Sequence, residues 1–417
     1  MKYTDRHAGG SAMLRKLFIW GCVAVCCLFL TYAIWVIVAM KRTATISVDY
    51  VALLNEKAAA VPVELRAWPL YREAAIALRE NPEPASVFYE DDIETPTWPT
   101  QEGWVHYTNW LQEHASTIIL IRDASKMQGV GYMLTGTVAE EDKELWPEEY
   151  EEQQNQPPPD GFFASVLLQQ LGPMRSNARV LSMDAKAAAA NLNATRCVED
   201  LLACLAIAEH AREQPLLICD LVSLSIYNIT FLTLEEILEH QPSLFTQDEL
   251  DMLLLKLQNI DEHLTIRFEG ERMFVLDLLQ RMFTDDGNGD GKIIPLKAME
   301  LGMQLELAPL ESTNSSLLPT IFAPIADLYL PSRKQILEEH DRRLSYFENL
   351  QASTLHGSSA PSSFVGEPWV QATSVFDPYY FIDLLTPTYD KAIEHASKSI
   401  QRRDALLQKI NELRKKE

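Results

Sequence analysis

The stretch from Ala194 to Glu239 reads ATRCVEDLLACLAIAEHAREQPLLICDLVSLSIYNITFLTLEEILE. Its apolar residues recur mostly three and four apart: Leu201, Leu202, Leu205 and Ala208, then Leu221, Leu224, Ile226 and Ile229. That spacing places them on one face of an α-helix. Pro215 cannot continue a helix, and it separates Ala194–Glu213 from Leu216–Glu239. The two halves therefore predict an antiparallel helical hairpin. The same regularity runs from Phe162 to Phe283, and Thr246-Gln247-Asp248-Glu249 has the form of a capping box opening a further helix. No strict period repeats, so no named repeat family is assigned. The expected fold is mainly α, a hairpin bundle or short solenoid-like domain preceded by a transmembrane helix.

That helix is read from Leu17 to Met40, which contains no charged residue. At about 1.5 Å per residue it reaches roughly 36 Å, enough for a hydrocarbon core of about 30 Å. Arg15 and Lys16 bound one end and Lys41 and Arg42 the other, with Trp20 and Trp35 near the interfaces. A cleaved signal peptide would have a shorter apolar region and a small-residue site beyond it. Ile19-Trp20-Gly21-Cys22 resembles a lipoprotein box only faintly. The membrane is thus the first expected partner, through Leu17–Met40, in single-pass topology. Lys2 and Arg6 favour a cytoplasmic N-terminus, which puts the large domain outside the cytoplasm.

Between anchor and hairpins, Val48–Ala60 and Val63–Glu80 read as two short helices divided by Pro62, and Asn81–Thr100 as a loop. Gly103–Met127 reads as one helix, although Thr117–Ile121 alone would pass for a strand. Glu140–Asp160 is crowded with acidic residues and ends in three prolines, which predicts an exposed acidic loop. Ser353–Glu367 reads as loop. A last helix from about Pro378 carries Ile393, Ile400 and Leu407 seven apart, with Leu406 and Leu413 beside them. Arg414 breaks the heptad, so the helix is expected to pack back on the domain rather than form a coiled coil. The resulting division is 1–16 basic segment, 17–40 transmembrane helix, 41–138 N-terminal helical region, 139–160 acidic Pro-rich loop, 161–310 hairpin domain and 311–417 C-terminal helical region.

The chain carries a net charge of −23. Six basic residues against Asp5 precede Thr43, a local +5 that leaves −28 for the rest. Such a surface repels nucleic acid and anionic lipid, so no nucleic-acid partner is expected. Cys22, Cys26 and Cys27 lie in the anchor, and Cys197, Cys204 and Cys219 in the domain. An odd number without a C-x-x-C pair is no disulfide scaffold. Cys197 and Cys204, two helical turns apart, read as small core hydrophobes, with a single pairing to Cys219 as the alternative.

One motif carries chemistry. Asp286-Gly287-Asn288-Gly289-Asp290-Gly291-Lys292-Ile293 resembles the first two-thirds of an EF-hand calcium loop spanning 286–297. A hard cation takes oxygen ligands at alternate positions of a curling chain. Asp286, Asn288 and Asp290 supply side chains at positions 1, 3 and 5, Gly291 the sharp turn, Lys292 a backbone carbonyl at position 7, and Ile293 the apolar position 8. Position 12, normally a bidentate Glu, is Lys297, and position 9 is Ile294. Any Ca2+ bound here is expected to be weak, around 10⁻⁴–10⁻³ M. The alternative is a helix–loop–helix turn that keeps the shape without the metal. An acidic metal-collecting strip at Glu140–Asp160 lacks fixed geometry.

No H-E-x-x-H, P-loop, G-x-S-x-G or dinucleotide fingerprint is present, so no catalytic residue is named. His340, within Glu338-Glu339-His340-Asp341, reads as part of a solvated helix face, and His210 and His263 are flanked by charge.

Ala67-Trp68-Pro69-Leu70-Tyr71-Arg72-Glu73-Ala74, following Asp49-Tyr50-Val51-Ala52-Leu53-Leu54-Asn55, resembles a recurring phrase in uncharacterised membrane-anchored proteins of planctomycete bacteria. Val198-Glu199-Asp200-Leu201-Leu202 and Gln214-Pro215-Leu216-Leu217-Ile218 are similar to that group as well. The resemblance implies a helical extracytoplasmic domain and carries over no activity and no site residues. Three functions are expected in order: a non-catalytic interaction or scaffold domain with a protein or peptide partner, a weak calcium-binding module, and an envelope hydrolase with an unrecognised site.

Overall fold

A computed structural model describes residues 8–80, 98–101, 103–155, 161–304, 329–355, 383 and 389–415. Among the described residues the chain is helical, with two isolated β-bridges and no strand. The helices are α1 (Ala8–Met40), α2 (Tyr50–Leu54), α3 (Glu56–Ala60), α4 (Trp68–Glu80), α5 (Trp104–Glu113), α6 (Ala115–Ser125), α7 (Pro147–Asn155) and α8 (Leu171–Ala190). Then follow α9 (Ala194–Ala211), α10 (Leu217–His240), α11 (Gln247–Gln258), α12 (Glu269–Met282), α13 (Pro295–Gln304), α14 (Arg333–Leu355) and α15 (Tyr389–Arg414).

The chain forms two compact units that do not follow the boundaries read from sequence. One comprises Met1–Val48, Leu278–His340 and Trp369–Thr386, the other Asp49–Asp277, Asp341–Pro368 and Pro387–Glu417. The region read as a single domain, 161–310, is thus divided within α12. Hydrophobic periodicity marks where a helix lies but not which distant segment it packs against.

In the larger unit, α8, α9 and α10 pack pairwise into the core, with α4 and α6 beside them and α15 laid against α10 and α11. Ser223 Oγ donates to the Ala208 carbonyl at 2.7 Å, while Thr230, further along α10, lies beside Cys204, further back along α9. The two helices therefore run antiparallel, as Pro215 predicts. Leu201, Leu205, Ala208, Leu224 and Ile226 are buried, each large one worth about 1.5–3 kcal/mol of apolar transfer. Ala185, Ala187, Ala188 and Ala189 are buried too, and their small side chains let α8 approach its neighbours. Cys197, Cys204 and Cys219 are free thiols in the same core. The Thr246–Glu249 capping box is formed in both directions at the start of α11.

Several local readings are corrected. Gly103–Met127 is two helices, broken at His114, whose ring stacks on Trp110 and bonds its carbonyl. Val48–Ala60 is likewise split, into α2 and α3. Asn55 between them is buried, and its amide accepts from Leu134 N–H at 2.7 Å and donates to Leu134 O at 2.8 Å. The acidic stretch 139–160 is not all exposed loop. It contains α7, and Asp142 is buried, accepting from the Trp68 indole N–H at 2.9 Å. Pro157-Pro158-Pro159, most of the loop read at Asn81–Thr100, and 356–367 lie outside the described residues. The last helix is described from Tyr389, with Ile393, Ala396, Leu406 and Ile410 buried.

Charge also enters the core. Asp220 on α10 is fully buried and accepts from the Arg267 backbone N–H at 2.7 Å and its Nη2 at 2.6 Å, with Arg212 close by. Among the described residues two helices are long and apolar enough to cross a membrane: Arg15–Met40, mean hydropathy 2.6, and Leu217–His240, mean hydropathy 1.7. The second is mostly buried within its unit and serves as a core helix.

Candidate functional site

The smaller unit contains the EF-hand-like segment, the end of α12 followed by a loop and α13. Phe283 and Ile293 form an antiparallel bridge that closes it. Ile294 N–H donates to Met282 O at 2.7 Å, and Thr284 N–H to Lys292 O at 2.9 Å. Inside this closure the Asp286 N–H reaches the Asp290 carbonyl at 2.9 Å. Gly287 and Gly289 take φ of 81° and 85°, a region that side chains disfavour. A Cβ on Gly291 would stand 1.8 Å from the Thr284 carbonyl oxygen, so only glycine fits the turn.

The four residues read as ligands lie in this one loop, and Asp286 Oδ1, Asp290 Oδ1 and the Lys292 carbonyl already hold it. Asp286 Oδ1 accepts from Asn288 N–H at 2.8 Å and Asp290 N–H at 3.1 Å. Asp290 Oδ1 accepts from Gly291 N–H at 2.7 Å and from Lys334 N–H, in the first turn of α14, at 3.2 Å. Burial raises the Asp290 pKa, but hydrogen bonds from Ser332, Gly291 and Lys334 outweigh it and hold the carboxyl below its ordinary value. The Lys292 carbonyl faces Thr284. Asp285 is held low by the Gly287 N–H and by Arg333, whose Nη1 lies 3.0 Å away. Lys297 pairs with Glu300 at 2.8 Å, so position 12 offers no oxygen. Calcium takes six to eight oxygens. Three side chains and one carbonyl fit it only with water completing the shell, and the loop keeps its shape through its own hydrogen bonds.

The same helix–loop–helix grips the segment that leaves α1. Ala39 is 1% exposed, in the part of α1 that meets α13, whereas Leu17, Phe18, Trp20, Leu28 and Phe29 project from the helix. Arg42 Nη1 donates to the Ile293 carbonyl at 3.0 Å. Gln280, buried near the end of α12, accepts from the Ser47 and Val48 N–H groups at 3.1 and 3.2 Å and donates to Val48 O at 2.8 Å. No sequence pattern announces this contact, because it joins residues more than 230 positions apart.

Elsewhere histidines meet partners that sequence reasoning missed. His340 is buried, a correction to the solvated face expected of it. Among the described residues of the larger unit, His210 lies between the Tyr71 hydroxyl at 2.9 Å and the Met127 carbonyl at 3.1 Å. His263 Nδ1 sits 3.2 Å from the Tyr227 hydroxyl and 3.6 Å from Glu209, which also pairs with Lys256 at 2.7 Å. Among the described residues, cavities open on that unit. One of about 570 Å3 is walled by Asp49, Asn55, Met133 and Phe162, and Asp49 caps the Ala52 N–H at 2.9 Å. Another, about 300 Å3, is apolar except for Glu271, which accepts from the Leu217 N–H. Neither wall brings a histidine to a carboxylate.

No family model, curated protein or solved structure matches the chain.

Proposed function

We propose that this is a membrane-anchored, non-catalytic helical scaffold or interaction protein, held by α1 as a single span with its larger unit outside the cytoplasm. The carrying observation is the contrast along α1. Its apolar shaft is exposed, while its root is seated on α13 and continues into a segment fixed by Arg42 and Gln280. A bilayer supplies the cover that the shaft lacks. Apolar residues also project from the larger unit: Met252 and Leu255, three apart on α11, are 47% and 60% exposed. They suit a protein or peptide partner better than nucleic acid, which the net charge repels.

Affinity capture with the full chain from solubilised membranes tests the reading. A partner lost on Met252→Glu/Leu255→Glu supports it, and capture of nothing above background contradicts it. Cysteine labelling from either side of sealed vesicles tests the topology.

A second reading is a weak calcium module, favoured by the succession of Asp286, Asn288 and Asp290 along one glycine-permitted arc. Because that arc also carries the bridge to Ile293, whose carbonyl Arg42 holds, an ion there would stiffen the root of the anchor.

A further inference from the structure

Two carboxyl groups meet inside the larger unit, and each is fully buried: Asp184 on α8 and Asp200 on α9. Arg122 on α6 lies against both. Its Nε is 2.6 Å from Asp200 Oδ1 and its Nη2 2.5 Å from Asp184 Oδ2. The edge of a guanidinium that usually takes both oxygens of one carboxylate here takes one oxygen from each of two. That shared fork brings the carboxyls within hydrogen-bonding distance of one another. Asp184 is satisfied further by Arg196, whose Nε lies 2.8 Å away. Asp200 Oδ2 is buried and receives no N–H or O–H donor among the described residues.

A buried anionic oxygen without a donor, beside a second carboxylate, is doubly unfavourable, since both lack of solvation and like charge oppose ionisation. A proton on that oxygen removes both difficulties by donating to Asp184. Desolvation accordingly pushes the Asp200 carboxyl far up, Asp184 adds to it, and Arg122 only partly opposes. Arg196, Cys197 and Cys204 on α9 adjoin the pair, and around them Glu199 acts on Arg122, Glu249 of α11 on Cys197, and Tyr71 of α4 and the uncharged Thr230 of α10 on Cys204. Arg196 is 40% exposed and forms the side nearest water.

We propose that Asp200 holds a proton, donated to Asp184, that latches α6, α8 and α9 together, and that alkaline surroundings loosen this core by removing it. The proton passes to solvent on the Arg196 side and leaves two carboxylates facing each other. The first two turns of α9, which carry Arg196 and Asp200, are the part set to move.

The linkage has a definite sign. A carboxyl that holds its proton in the fold but loses it in the unfolded chain makes stability fall as pH rises between the two values. The test is thermal unfolding of the full chain in detergent micelles at pH 5 and pH 9, wild type against Asp200→Asn, whose amide also donates to Asp184. The melting temperature of the variant relative to wild type is expected to climb by about 4 °C or more across that range. An equal difference at both pH values overturns the latch. Should the variant not fold, infrared difference spectra of 13C-aspartate-labelled protein decide instead. They are taken in an Asp142→Asn background, because burial raises Asp142 as well. A protonated aspartate band present at pH 6 and lost by pH 9 supports the latch, and its absence at pH 6 overturns it.

Discussion

Gln280 is bonded to both edges of Val48: its Oε1 accepts the Val48 N–H at 3.2 Å, and its Nε2 donates to the Val48 carbonyl at 2.8 Å. A side-chain amide thus stands where a neighbouring strand would, and it fixes the backbone eight residues beyond the end of α1. Gln280→Ala leaves those backbone groups without their partner, at a cost of about 1–3 kcal/mol where they are buried. Limited proteolysis should then cut between Arg42 and Val48 faster than in wild type. Unchanged cleavage would show that the grip is unimportant.

The loop at Asp286 is closed by its own hydrogen bonds. Asp286→Ala removes the acceptor of two backbone N–H groups and should lower the melting temperature. A ligand with Kd near 10⁻³ M, present at that concentration, adds only about 0.4 kcal/mol. Chelators should therefore leave melting unmoved, and calorimetry at millimolar Ca2+ should give at most a weak isotherm. A large drop on chelation would contradict this.

Asp220 is buried and surrounded by Arg267 and Arg212. Removing the anion strands two cations, and Asp220→Ala should destabilise by about 3–5 kcal/mol in urea titrations. A loss below about 1 kcal/mol would mean that water replaces the carboxylate.

His210 gives a pH dependence of opposite sign to the Asp200 latch. Burial lowers its pKa below the usual 6.5, with the Met127 carbonyl opposing. The unfolded chain therefore binds the proton first, and stability is lost as pH falls below about 6.5. His210→Asn should flatten the decline of the urea midpoint between pH 6.5 and pH 5. An unaltered slope would place the dependence on other groups.

Much of the fold was legible where local chemistry decides it. Pro215, the spacing of Leu201 to Ala208 and the Thr246–Glu249 box each act within a few residues, and the hairpin and the start of α11 follow from them. The loop was legible for the same reason, since Gly287, Gly289 and Gly291 answer to local backbone demands. Helix α7 left a signal that acidity obscured: Pro147 at its first position, then Glu148 and Glu149 in the first turn. The buried charges were not legible. Asp142, Asp184, Asp200 and Asp220 look like surface residues until Trp68, Arg122 and Arg267 arrive from elsewhere in the chain. The grip of Gln280 on Val48 and the burial of His340 likewise depend on tertiary contact alone.

Retention of α1 is the point on which anchor, grip and topology all depend. Membranes washed at alkaline pH, followed by intact-mass measurement of the extracted protein, test it directly. The expected result is a chain that stays in the pellet with Leu17–Met40 still attached. A water-soluble species beginning after Met40 would contradict the account.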